Sequence, residues 1–206
     1  MYNVSSMKIE LDNAVQVVSD RIRDEFEHAF RSIYADDQVP EKLSFSEHEI
    51  CFASVEKEAD LKAISAGAGL YIILTDHPVD GNGCRLASGE LRAVYRGECS
   101  LVRLRVMSHL FNARYQANHE TAAEQYTQDA RFAGKSYYKE AWPHCIKLTP
   151  SGPSGINVDR DPYFSFRWLV VTHSMRGSSQ AVRQLAEHAF DRAFGHPAAS
   201  RERSRT

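Results

Sequence analysis

Tyr71 and Tyr95 each lie close to a glycine within an apolar run of β character, Ala66-Gly67-Ala68-Gly69-Leu70-Tyr71-Ile72-Ile73-Leu74 and Leu91-Arg92-Ala93-Val94-Tyr95-Arg96-Gly97. A helical pattern follows the second run at once. It places Arg105 and His109 four residues apart, on one helix face. Two phenols from neighbouring strands, a guanidinium and an imidazole converging on one point suit phosphate chemistry. A guanidinium offers paired donors to phosphoryl oxygens, and phenol and imidazole can each move a proton.

These groups depend on the elements around them. Leu11, Val15, Val18, Ile22, Phe26 and Phe30 recur at steps of three and four and predict an amphipathic helix over 11–34, ended by Asp36, Asp37 and Pro40. Residues 43–55 have strand character around Ile50-Cys51-Phe52, and 56–65 read as a short polar helix. Between the tyrosine runs, residues 75–90 are rich in turn residues, Pro78, Asp80-Gly81-Asn82-Gly83 and Ser88-Gly89. Leu101, Leu104, Met107, Leu110 and Phe111 form the apolar stripe of a helix over 100–115. A polar insert follows to Lys139. Strands are then expected at 142–148 and 164–171, joined by a Pro/Gly-rich link. Ser178-Ser179 caps a last helix with Val182, Leu185, Ala186, Ala189, Phe190 and Ala193 inward, Glu187 beside that stripe, and Gly195 and Pro197 at its end.

Gly69-Leu70-Tyr71 and Tyr95-Arg96-Gly97 resemble the two half-motifs of the GIY-YIG nucleases, in which an arginine follows ten residues after the second tyrosine and a histidine four residues later. Arg105 and His109 stand at those places, and Glu187 looks like the family's metal-binding glutamate on a late helix. The resemblance covers roughly 66–200. It implies an α+β fold with a small central mixed or antiparallel sheet flanked by helices, divided as an N-terminal helix-plus-strand extension (1–65), a nuclease-like domain (66–200) and a basic tail (201–206).

It also implies endonucleolytic phosphodiester hydrolysis assisted by Mg²⁺ or Mn²⁺ on Glu187. Tyr71 or Tyr95 would be the general base, Arg105 would stabilise charge on the phosphate, and His109 would orient the phosphate or relay a proton. Gly69 and Gly97 would allow close packing at the strand ends. The implied partner is nucleic acid, DNA ahead of RNA, in a restriction or phage-defence setting or as a toxin-like effector. Three features depart from the pattern. Arg96 replaces an apolar residue, the two half-motifs are far apart, and no asparagine follows the last helix, where Ala199 and Ser200 stand and Ser200 or Lys139 could substitute.

Composition sets wider bounds. The 206 residues carry a formal charge of −2, which argues against indiscriminate nucleic-acid binding. Arg85, Arg92, Arg96, Arg103, Arg105 and Arg114 nevertheless form a basic island around the motifs. There is no long apolar span and the start is polar, so no membrane is expected and a cytoplasmic location follows by default. Cys51, Cys84, Cys99 and Cys145 have no metal-site spacing and read as free thiols. Taken singly, the tyrosines fit plain strand residues, His109 a helix-surface histidine and Glu187 an exposed carboxylate. A non-catalytic nucleic-acid-binding protein on the same fold is therefore the alternative reading.

Overall fold

The computed structural model describes residues 4–40, 50–118 and 145–200. Most of the predicted insert (119–139), the first part of the 142–148 strand, residues 43–49 and the basic tail lie outside them. The fold is α+β. Helix α1 (Val4–Ile33) leads into strand β1 (Ile50–Ser54), β2 (Gly69–Thr75), the short β3 (Ala87–Ser88) and β4 (Leu91–Cys99). Helix α2 (Val102–Leu110), β5 (Trp168–Ser174) and helix α3 (Gln180–Phe194) complete it. The five strands form one antiparallel sheet in the order β1-β5-β2-β4-β3.

β2 is the central strand, with every residue buried, because both sheet faces are covered. Its alternation divides the core. Tyr71 and Ile73 join a cluster with α2, including Val102, Val106 and Leu110, while Leu70, Ile72 and Leu74 join Phe30 of α1 and Ala186, Ala189 and Phe190 of α3. The unbroken apolar run in β2 is what a strand buried on both faces requires.

Several boundaries differ from the sequence reading. α1 begins at Val4, about two turns before the predicted start, and β5 runs from Trp168 to Ser174 instead of 164–171. Residues 145–148 are irregular where a strand was expected, and the polar helix at 56–65 is a 3₁₀ turn, Glu58–Ala63. α2 stops at Leu110 and a helical segment resumes over 112–118. The physical reason is the Pro/Gly-rich link, whose backbone competes for the end of α2. The N–H groups of Ile156 and Val158 donate to the carbonyls of His109 and Leu110, and Ile156 accepts from the N–H of Asn112. The terminal carbonyls of α2 are thus satisfied by another segment, which also fixes the position of His109.

Candidate functional site

The register of β2 against β4 brings the two half-motifs together. Tyr71 lies directly opposite Gly97, and Ile73 opposite Tyr95, with an irregularity just after Ile73. Residues opposite one another in an antiparallel pair project from the same face, so Tyr71, Tyr95 and Gly97 all face α2. The Tyr71 phenol occupies the space above Gly97. A Cβ there would overlap the Tyr71 hydroxyl and come within 2.5 Å of its Cζ. Gly69 meets an equally close neighbour on β5, where a Cβ would overlap the carbonyl oxygen of His173.

His109 projects from α2 onto the two rings, with its centroid 5.6 Å from Tyr71 and 4.5 Å from Tyr95. It is wholly buried, so the helix-surface reading does not hold. The backbone N–H of Ile146 donates to its Nδ1 at 2.8 Å, and its Nε2 lies 2.8 Å from the Tyr71 hydroxyl. An acceptor at Nδ1 places the ring proton on Nε2. His109 is therefore a neutral donor to Tyr71. Burial, and then the Arg105 charge, hold its pKa well below the ordinary histidine value.

Arg105 also hydrogen-bonds Tyr71, and the Tyr71 hydroxyl bonds that of Tyr95. With His109 and Arg105 both donating to it, the Tyr71 oxygen hands its own proton toward Tyr95. Burial raises both phenol pKa values, and Arg105 opposes the rise without reversing it. The Arg105 charge alone does not bring either phenol down to its ordinary value. Arg105 keeps its proton: burial works against the charge, but Tyr71 and Tyr95 outweigh it. Its guanidinium also approaches the Ser108 hydroxyl and the Cys145 thiol, at 3.4 and 3.8 Å.

Glu187 lies on the other side of the sheet from this cluster, on α3, where it pairs with Arg96. Arg96 lies opposite Ile72 and Glu98 opposite Leu70, so both face α3. On α3, Arg183, Glu187 and Asp191 recur every four residues and meet them as a ladder of ion pairs. Arg183 pairs with Glu98 at 2.9 Å; Arg96 pairs with Glu187 at 3.4 Å and, through Nε, with Asp191 at 3.0 Å. Arg96 is 5 % exposed and Glu187 18 %. The glutamate is still close enough for its charge to raise the pKa of both phenols. Among the described residues, no group of three or more His, Cys, Asp or Glu side chains is arranged to hold a metal ion.

The basic island is largely committed within the molecule. Arg85 pairs with Asp37, Arg114 with Glu58 and Asp159, and Arg103 donates to the carbonyls of Lys62 and Ile64. Ser200 stands where the resemblance leads one to expect asparagine; its hydroxyl accepts from the Arg96 N–H at 2.8 Å and ties the end of the chain to β4. The parts of the cluster missed in the sequence are the Ile146 N–H and the partners of Arg96. Only the second had a signal there, the four-residue spacing of Arg183, Glu187 and Asp191. All four cysteines are free thiols, and no described helix is long and apolar enough to cross a membrane. No family model, curated protein or solved structure matches this chain.

A second such pair lies on the opposite face, where the hydroxyl of the buried Tyr34 is 2.6 Å from Nε2 of the half-buried His173. Burial lowers the His173 pKa to about 4. A histidine whose folded pKa lies below its unfolded value of about 6.5 contributes stability above that value and loses it as the pH falls. Lowering the pH from 6.5 toward 4 is expected to remove up to about 3 kcal/mol through His173, with His109 acting in the same direction. Urea midpoints recorded across this range should fall steadily; a flat profile would contradict the neutral state of both rings in the folded protein.

Proposed function

We propose that this protein is a metal-dependent endonuclease that hydrolyses phosphodiester bonds in nucleic acid, DNA ahead of RNA. The observation that carries the reading is the hydrogen-bonded convergence of Tyr71, Tyr95, Arg105 and His109 at one point of the sheet, with the Glu187 charge within reach. Arg105 offers a guanidinium to the phosphoryl oxygens that gain charge in the transition state. His109, locked as the Nε2–H tautomer, donates to Tyr71 and so favours its phenolate over its neutral form. To serve as the base, Tyr71 must first release its own proton to solvent; burial opposes that release, and the charge of Arg105 and of a cation on Glu187 would favour it, after which the phenolate would take one proton from the attacking water.

Glu187 is the residue that would hold the ion. A partly exposed carboxylate fits Mg²⁺ or Mn²⁺, hard ions of which Mg²⁺ in particular retains most of its waters. Bound there, the ion would supply Lewis-acid polarisation of the phosphoryl oxygen. Arg96 works against it by neutralising Glu187 and Asp191 in advance. Replacing Arg96 with Met is expected to cost about 1–3 kcal/mol in metal-free buffer, because it leaves two half-buried carboxylates without their buried partner. Mn²⁺ should return part of that loss, and equal thermal shifts for variant and wild type on adding Mn²⁺ would contradict a cation site at Glu187.

A second reading, a nucleic-acid-binding protein that keeps the fold without hydrolysis, is favoured by the ion-pair ladder that engages Glu187 and by the 1 % exposure of Tyr71. Incubation with supercoiled plasmid and labelled single strands in Mg²⁺ or Mn²⁺ separates the two. Cleavage abolished by chelator supports the enzyme; binding without cleavage supports the alternative.

A further inference from the structure

α1 carries more apolar surface than its own domain covers. Toward its C-terminal end, Phe26, Phe30 and Ile33 pack into the core beside α3. Toward the N-terminus nearly the same stripe continues as Leu11, Val15 and Val18, which are 58 %, 65 % and 57 % exposed. From Val18 the same face runs on through Ile22, Phe26 and Ala29, with Arg21 and Glu25 beside it. Leu11, Val15, Val18 and Ile22 are separated by four, three and four residues, the spacing of a two-heptad coiled-coil seam.

We propose that this stripe is an interface with a second copy of the chain, α1 packing antiparallel against α1 about a two-fold axis. Charge selects both occupant and direction. With Val15 opposite the partner's Val18, Leu11 meets the partner's Ile22. One layer further out, Lys8 then meets the partner's Glu25, and symmetry makes this pair twice. Both side chains are exposed in the single chain. A parallel pairing in the same seam would set Lys8 against lysine and Glu25 against glutamate, so the sequence of this one helix is self-complementary only when antiparallel. The contact is isologous and closes after two copies. Residues 8–25 give it a length of about 26 Å, and the two domains sit at opposite ends. The proposal does not depend on the nuclease reading.

Sedimentation velocity on the full chain tests it, over a range of concentrations. The expected species is a dimer of twice 23.3 kDa that becomes monomeric in Val15→Glu/Val18→Glu. That variant should keep its helical circular dichroism, because both positions are exposed. Lys8→Glu and Glu25→Lys should each weaken the dimer about tenfold, and the two combined in one chain should restore it. A monomer at all concentrations, a dimer indifferent to Val15→Glu/Val18→Glu, or charge reversals that fail to compensate one another would each overturn the proposal.

Discussion

Gly97→Ala is expected to destabilise the protein by about 3 kcal/mol and, on the nuclease reading proposed above, to remove cleavage with it. The added methyl has nowhere to go. Gly97 sits opposite Tyr71, and the space above it is filled by the Tyr71 ring. The ring is held at its hydroxyl by His109 and Arg105 and stacked at 6.0 Å on Tyr95. To admit a methyl, the ring must rotate and break the bond to the buried His109, or β2 and β4 must spread. Either route adds a lost hydrogen bond to the cost of overpacking. Removing only the hydroxyl would not help, since Cζ and Cε1 also lie too close. In a double-mutant cycle, Gly97→Ala should couple strongly with Tyr71→Ala, which opens the space. A Gly97→Ala variant within about 0.5 kcal/mol of wild type, inside the range of ordinary surface substitutions, would show that the phenol is not seated as described.

Arg105→Ala is expected to lower phosphodiester cleavage by about 10²–10³-fold, the range for removing one transition-state donor. Arg105→Lys should recover little of it. A lysine keeps the charge but has no planar fork to hold Tyr71 and a phosphoryl oxygen together. The variant will also disturb Ser108 and Cys145, which contact the guanidinium, so thermal melting must accompany the kinetics. A melting point near that of wild type with cleavage lost is the expected pair of results. Cleavage retained in a folded Arg105→Ala would remove Arg105 from the chemistry.

The convergence of Tyr71, Tyr95, Arg105 and His109 was legible in the sequence because it follows from local periods: alternation along two strands and a four-residue step on the next helix. The surroundings were not, because they depend on register and on distant segments. Whether Arg96 faces α2 or α3 is decided by which residue of β2 it opposes. The structure pairs it with Ile72 and so turns it toward Glu187 and Asp191. The tautomer of His109 depends on the N–H of Ile146, 37 residues away in a stretch whose apolar side chains suggested a strand. Its described part, 145–148, is irregular, and the link beside it is tied by backbone hydrogen bonds to the end of α2. The amphipathic pattern of α1 was visible, but a helical stripe does not reveal where the domain beneath it ends. Leu11, Val15 and Val18 belong to the predicted apolar stripe and are exposed.

Metal-dependent cleavage of plasmid and single-stranded nucleic acid by wild type, beside folded Arg105→Ala and Glu187→Ala, tests the proposed nuclease reading. Wild type is expected to cut in Mg²⁺ or Mn²⁺ and both variants to lose that cutting. Wild-type protein that is folded and metal-supplied but cuts none of these substrates, or cutting that survives in both variants, would contradict that reading.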